Sequence, residues 1–215
     1  MSDAKDVKGG RASDWATLNL LAALEGGGPV TQRSLAVRIG VALGLTNSLL
    51  KRAVRKGLIK ASQAPAKRFV YYVTPKGFNE KSRLVAEYLS SSLTFFRQAQ
   101  EEYANIYKLI DKNNHQNVAL YGAGELAEIA ILATQAQGLR LRAVIHPGSN
   151  LTDASGVPVI SSIDDAKALG IDAVVITSVD APQLAFDTLC EHYDSACIYD
   201  APMLHVSRTA LKEGA

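Results

Sequence analysis

No acidic residue occurs between Glu25 and Glu80. That absence excludes an ordinary charge-balanced surface for the stretch, because ten Lys and Arg fall inside it: Arg33, Arg38, Lys51, Arg52, Arg55, Lys56, Lys60, Lys67, Arg68 and Lys76. Cysteine is nearly lacking, with Cys190 and Cys197 the only two. This excludes a disulfide framework and suggests reduced thiols in a cytosolic protein. They read as two semi-buried thiols or as a redox pair, and nothing near them looks thiolate-activating. No apolar run approaches the roughly 20 residues of a membrane helix. The start, MSDAKDVKGGRASD, lacks the apolar core of a signal peptide, so residues 1–13 read as a loose polar tail. The expectation is a cytoplasmic protein without a membrane partner. His115, His146, His192 and His205 are scattered without metal-ligand spacing. No metal ligand and no catalytic residue is assigned.

What is present sorts by region. Residues 1–112 hold 18 Lys and Arg against 9 Asp and Glu, a net of +9, whereas residues 113–215 hold 5 against 12, a net of −7. The whole chain is nearly neutral at +2. Such asymmetry suggests two modules with different partners, one of them polyanionic. The basic block is the footprint of a surface that neutralises phosphates.

The pattern within that block predicts a winged helix-turn-helix over residues 14–79. Trp15 to Leu24 has helical apolar spacing, with Ser13 or Asp14 able to cap it, and Gly26 to Pro29 stops it. Thr31 offers an N-cap for a helix from Gln32 to Ile39, which Gly40 closes in a left-handed conformation. A third helix runs from about Ala42 to Lys56 and ends at Gly57. Two short helices with a tight glycine turn between them make the helix-turn-helix. Leu58 to Ser62 and Phe69 to Val73 read as two strands. The polar link between them, with Pro65 near its tip, completes a hairpin wing.

On the third helix, Leu49, Leu50, Ala53 and Val54 can face the core, leaving Leu45, Asn47, Ser48, Lys51, Arg52 and Arg55 elsewhere. A recognition helix brings its first turns to base edges. Asn47 and Ser48 are candidate base readers, Asn being suited to adenine. Gly44 would allow close backbone approach. Lys51, Arg52 and Arg55 are placed for phosphates. Gln32 and Arg33 begin the second helix, where free N–H groups also favour phosphate. Lys67 and Arg68 on the wing can reach the DNA backbone or minor groove.

The run TQRSLAVRIGVALGLTNSLLKRAVRKGLI, followed by YYVTPKGFNEKSRLVAEYL, resembles the MarR-type winged-helix regulators. It is most similar to the group associated with exopolysaccharide gene clusters, over about residues 14–110. The resemblance implies a dimeric regulator of double-stranded DNA, with a link to surface-polysaccharide genes. Ala53 departs from it, standing where such helices carry a larger apolar residue.

From about Pro75 to Lys112 only Gly77 disturbs a helical pattern. Val85, Leu89, Ser92, Phe96, Ala99, Tyr103, Ile106 and Ile110 alternate spacings of four and three, which is a heptad seam. Residues 80–112 are therefore expected to form a long dimerisation helix. Packing of that helix on its own domain is the alternative.

After the polar break Asp111 to His115, residues 113–201 read as an α/β Rossmann-like domain with a parallel sheet, followed by a tail over 202–215. Asn117 to Tyr121 is a buried-strand run followed at once by Gly122-Ala-Gly-Glu-Leu-Ala127, the G-x-G-x-x-A pattern in strand-to-helix context. Gly122 permits the turn, Gly124 admits a phosphate, and Ala127 lets helix pack on strand. Strands at Leu141–Ile145, Val157–Ile160, Asp172–Thr177 and Ala196–Tyr199, with helices near Ile163–Leu169 and Pro182–His192, complete a three-layer unit. An NAD site usually has Asp or Glu about 20 residues on, at the end of the second strand. Here that place holds His146.

VALYGAGELAEIA, GVPVISSIDDA and DAVVITS resemble the nucleotide-binding modules of nucleotide-sugar dehydratases and sugar acyltransferases. Those modules hold nucleotide sugars, NAD or coenzyme A. The resemblance carries Gly122, Ala123, Gly124, Glu125 and Leu126 over as phosphate-loop positions. His146, Thr177 and Ser178 are positional candidates at the crevice where open α/β sheets bind ligands. A Rossmann scaffold kept only for assembly remains open.

The expectation is a dimeric DNA-binding regulator, not an enzyme, whose C-terminal half senses a nucleotide sugar or related nucleotide. The two-domain arrangement is similar to Rex-type repressors, so an NAD(H)-responsive redox repressor stands as an alternative. A nucleotide-sugar-modifying enzyme is another, although little chain remains to build a substrate pocket.

Overall fold

The structure, a computed structural model, describes residues 3–26, 29–64, 68–134 and 139–208. The chain divides into two compact units, Met1–Ser92 and Leu93–Ala215.

In the first unit, helix α1 spans Asp3–Leu24. It begins well before the expected cap at Ser13 or Asp14, so residues 3–13 are helical and not a loose tail. No proline interrupts this stretch. Ser13 sits inside the helix, where its carbonyl accepts the Thr17 hydroxyl at 2.7 Å. The Ser13 hydroxyl, free of any capping role, takes a hydrogen bond from Arg52 instead.

Helix α2, Gln32–Ile39, follows the expected signals closely. Thr31 accepts the Ser34 N–H, Ser34 answers by accepting the Thr31 N–H, and Gly40 ends the helix at φ +69°. Helix α3 spans Leu43–Arg55. A two-residue strand β1, Pro29–Val30, lies where only a helix stop was expected. It pairs with β3, Arg68–Val73, which also pairs with β2, Ile59–Ala64. The sheet order is β1-β3-β2. Two residues carry no periodicity, so only the pairing reveals β1. Leu20, Leu21, Leu35, Leu50, Ile59 and Tyr71 form the centre of this unit's core.

The long helix α4 spans Pro75–Lys112. Its start explains the Thr74-Pro-Lys-Gly77 sequence. The Thr74 side-chain oxygen lies 2.7 Å from the Gly57 carbonyl and accepts the Gly77 N–H at 3.1 Å. A Cβ on Gly77 would stand 2.1 Å from the Leu58 carbonyl oxygen. Glycine is required there by close backbone approach between helix and strand.

The second unit corrects the heptad reading over its C-terminal part. Ala99, Tyr103, Ile106 and Ile110 are buried in this unit's own core beside Val118, Leu120, Leu126 and Ala130. The Tyr103 hydroxyl donates to the Ile176 carbonyl at 3.2 Å and the Tyr107 hydroxyl to the Ala130 carbonyl at 3.0 Å. Burial raises both phenols far above their ordinary pKa, so both remain donors. A four-three spacing defines an apolar stripe but not its partner, and here a sheet supplies it. The other part of the seam, Leu89, Ser92 and Phe96, is exposed.

That sheet comprises β4 Asn117–Tyr121, β5 Arg140–Ile145, β6 Asp153–Ala154, β7 Val157–Ile160, β8 Ala173–Ile176 and β9 Ile198–Asp200, in the order β6-β7-β5-β4-β8-β9. All pairings are parallel except β6 with β7. Alternation along the strands separates two cores. Val118, Leu120 and Val175 join α4 and helix α5, Glu125–Thr134. Ala119, Val174 and Ile176 join helices α6, Ile163–Ala168, and α7, Pro182–Cys190. This is the α/β layering expected from near-continuous apolar strands.

Replacing Gly77 with Ala separates propensity from packing. Helix propensity alone predicts a gain of about 0.5–1 kcal/mol, whereas the Leu58 contact predicts a loss of about 1–3 kcal/mol. Urea unfolding should show the loss, and a variant as stable as wild type would refute the close approach.

Candidate nucleic-acid interface and ligand crevice

On α3, Thr46, Leu49, Leu50 and Ala53 are buried. Gly44, Leu45, Ser48, Lys51, Arg52 and Arg55 are exposed, as is Arg33 at the start of α2, while Gln32 is half-buried. Thr46 satisfies its hydroxyl on the Ala42 carbonyl at 3.2 Å. Among the described residues, no cation of the acid-free span forms an ion pair. The pairs of this unit lie at its borders, Lys81 with Glu25 and Arg83 with both Glu80 and Glu87. The Arg83 guanidinium, helped by Lys56 and Lys76, holds the Glu80 carboxyl below its ordinary pKa. Apart from Lys56 and Lys76, which lie near Glu80, the described cations of the span present their charge to water without a carboxylate partner.

Two expected DNA contacts are placed differently from the rest. The Asn47 side-chain carbonyl is buried without a hydrogen-bond partner. It is not presented as an adenine reader would be. Arg52 Nη1 donates to the Ser13 hydroxyl at 2.8 Å, which ties α3 to α1. Ser13 was read only as a cap, and its link across 39 positions leaves no local signal. Lys67 and the side chain of Arg68 lie outside the described residues.

A second feature of this unit was not legible in the sequence. A cleft of about 520 Å³ opens between α1 and α4, lined by Asp14, Trp15, Leu18, Leu84, Glu87 and Tyr88 among others. The Trp15 and Tyr88 rings lie 5.1 Å apart at its edge. The chain's single tryptophan was the one hint the sequence offered.

In the second unit the chain reverses direction across the sheet between β4 and β8, the place where open α/β sheets form a crevice. Gly122 follows β4 at φ +109°, and a Cβ on it would lie 2.7 Å from the Ser178 nitrogen. The Thr177 hydroxyl lies 2.6 Å from the Gly122 carbonyl and 3.1 Å from that of Tyr121. Its N–H donates to Tyr121 at 2.9 Å. Thr177 is 2% exposed, so it bolts the glycine turn to the end of β8. Ala123 N–H donates to His146 Nδ1 at 3.4 Å, which brings the end of β5 to the same turn.

Gly122, Ala123, His146, Thr177 and Ser178 thus share one end of the sheet. The Leu126 side chain is buried in the core, so any part it has in the loop falls to its backbone. Gly124 and Glu125 are exposed, and Glu125 with Glu128 places two carboxylates in the first turn of α5. The residues present do not fit NAD at the decisive position. His146 stands where a carboxylate would hold the ribose hydroxyls, and its Nδ1 already accepts from Ala123. Among the described residues, no group of three or more His, Cys, Asp or Glu is placed to hold a metal ion. No described helix is long and apolar enough to cross a membrane.

Comparison with known proteins agrees with this picture for the first unit. The winged helix-turn-helix DNA-binding family model matches residues 16–60. No curated protein matches the chain. Among solved structures, the PcaV transcriptional regulator from Streptomyces coelicolor in complex with its natural ligand is 26% identical, over 47% of this chain and 72% of that one, with a TM-score of 0.35. A protein with unknown function from Listeria innocua Clip11262 is 23% identical over the same shares, with a TM-score of 0.32. PigF with SAH covers 93% of this chain and 76% of its own at 13% identity and a TM-score of 0.34. Scores this low transfer neither an arrangement nor an activity. The first unit thus carries a winged helix-turn-helix DNA-binding domain, matched over residues 16–60, with the wing hairpin β2–β3 running on to Val73.

Thr177→Val keeps the shape of the side chain but removes its hydroxyl from two buried carbonyls. We expect a loss of about 1–3 kcal/mol, the cost of stranding buried polar groups. Chemical denaturation followed by near-ultraviolet circular dichroism measures it, and an unchanged midpoint would show that the turn does not depend on this bolt.

Proposed function

We propose that the chain is a dimeric, ligand-responsive transcription regulator that binds double-stranded DNA through its first unit. The observation that carries this reading is the set of exposed cations on α2 and α3 without a carboxylate partner. A helix-turn-helix bearing such a set is suited to neutralise DNA phosphates. Lys51 and Arg55 position the duplex, and Arg33 at the start of α2 adds a further phosphate contact. The cytoplasm is the compartment that fits a DNA-binding role.

Dimerisation is supported by the middle of α4. Tyr88, Leu89, Leu93, Phe95 and Phe96 are exposed there, and no charged residue occurs between Glu87 and Arg97. A second copy covering this segment would set the spacing of two recognition helices.

The effector belongs to the second unit in this reading, at the turn formed by Gly122, Ala123 and Gly124 beside His146 and Ser178. A nucleotide sugar or related nucleotide is the proposed class, with surface-polysaccharide genes as targets. Support comes from the glycine turn at the reversal point of the sheet and from the missing ribose carboxylate, which disfavours NAD(H). The role is sensing and not turnover. A second reading places an effector in the 520 Å³ cleft of the first unit. Its volume falls in the range of small-molecule sites, roughly 300–1,000 Å³. It is favoured by position, since Asp14 on its wall follows Ser13, the residue that holds Arg52.

Lys51→Ala should weaken binding to every duplex and reduce the slope of log affinity against log salt by about one. Fluorescence anisotropy across a salt series decides, and an unchanged slope would remove Lys51 from the interface. Thermal-shift titration with a panel of nucleotide sugars, NADH and coenzyme A should show saturable stabilisation by a nucleotide sugar. Stabilisation by NADH alone would overturn that class and favour a redox sensor.

A further inference from the structure

We infer that α3 meets DNA along the stripe Gly44, Ser48, Lys51 and Arg55, with Gly44 kept free of a side chain by the DNA and not by the fold. Ser48 then reads a base that carries a major-groove amine. The inference rests on the DNA-binding reading and identifies which residues perform the recognition.

The stripe follows from helical phase. Thr46, Leu49, Leu50 and Ala53 are buried. At about 100° per residue, the positions directly opposite are Gly44, Ser48, Lys51 and Arg55, and all four are exposed. Asn47 and Arg52 fall on the flanks. The buried Asn47 carbonyl and the Arg52 bond to Ser13 show that both side chains are turned from the centre of that face.

Gly44 is not explained by the protein itself. It lies in the first turn of α3, where alanine would serve the helix at least as well. It does not belong to the glycines with positive φ. A Cβ built on it meets nothing within 4 Å. Gly77 and Gly122 contrast with it, because a Cβ on either would strike backbone at 2.1 Å and 2.7 Å respectively. What remains is an external body that approaches the helix backbone at its first turn, and a helix seated in the major groove brings its first turns nearest the base edges.

Ser48 supplies the chemistry at that point of approach. Its hydroxyl donates to the Gly44 carbonyl at 3.0 Å. With its hydrogen so engaged, the oxygen turns lone pairs outward and acts as an acceptor. The exocyclic amines of cytosine N4 and adenine N6 are the donors a major groove offers. The expected partner is therefore a cytosine or adenine, read through a small side chain on a closely seated helix.

Selection of the full-length protein against randomised duplexes, followed by anisotropy on the enriched sequence, tests this. Gly44→Ala and Gly44→Leu should unfold at temperatures equal to or above wild type. Gly44→Leu should bind the enriched duplex at least tenfold more weakly, and Gly44→Ala about threefold. Ser48→Ala should lose the preference at one cytosine or adenine position, while Asn47→Ala should enrich the wild-type sequence. Wild-type affinity in a folded Gly44→Leu variant overturns the close approach. Should that variant not fold, wild-type affinity in Gly44→Ala does the same. An unaltered preference in Ser48→Ala overturns the base assignment. If the wild-type protein enriches no sequence and binds no duplex, the DNA reading itself fails, which is a different result from any of these.

Discussion

Burial of Leu49, Leu50 and Ala53 against α1 and the wing sheet sets the angular position of every other residue on α3. Once that face is committed to the core, Lys51 and Arg55 have no alternative to water or a polyanion. No carboxylate within the span is available to neutralise them. Core packing thus determines the electrostatics of the surface. The same constraint turns Asn47 partly inward and brings Arg52 within reach of α1, so one hydrogen bond to Ser13 couples the first helix to the third. A change at α1 has a direct physical route to the recognition helix through that bond.

The second unit depends on an analogous commitment. Tyr103 and Tyr107 are fully buried, and hydroxyl groups removed from water require acceptors. Ile176 and Ala130 supply them, one from the end of β8 and the other from α5. The C-terminal part of α4 therefore becomes a layer of the α/β unit and is no longer free to pair with a second helix. Immediately beyond that same end of β8, Thr177 and Ser178 close against Gly122. The first glycine of the motif is occupied by internal packing, whereas Gly124 remains open. The motif thus divides its labour between holding strands together and leaving room at the crevice.

Much of the fold was legible because it is written in local signals. Thr31, Ser34 and Gly40 bound α2 through capping chemistry that acts within four residues. The bounds of α4 follow from Pro75 and an unbroken periodic pattern. The apolar strands of the second unit announce a doubly covered sheet. The departures have equally local causes. β1 and β6 are two residues long and exist only through their partners. α1 extends to Asp3 because its polar start contains no breaker stronger than Gly9 and Gly10, and such a stretch reads alike as tail or helix. Gly77 was read as a disturbance in a helix, yet its position is dictated by the Leu58 carbonyl from a distant part of the sequence.

By itself the sequence determined the order of the longer elements, the separation of charge into a basic and an acidic half, and the location of the glycine turn. These depend on composition, capping and period, which are properties of neighbouring residues. Only the tertiary structure decided that Val54 stays outward while Asn47 turns partly inward on α3, which half of the α4 stripe is already covered, and which glycines the fold requires. Each of those depends on contacts between residues far apart in the chain, and a residue's chemistry is indifferent to them until folding brings the two sides together.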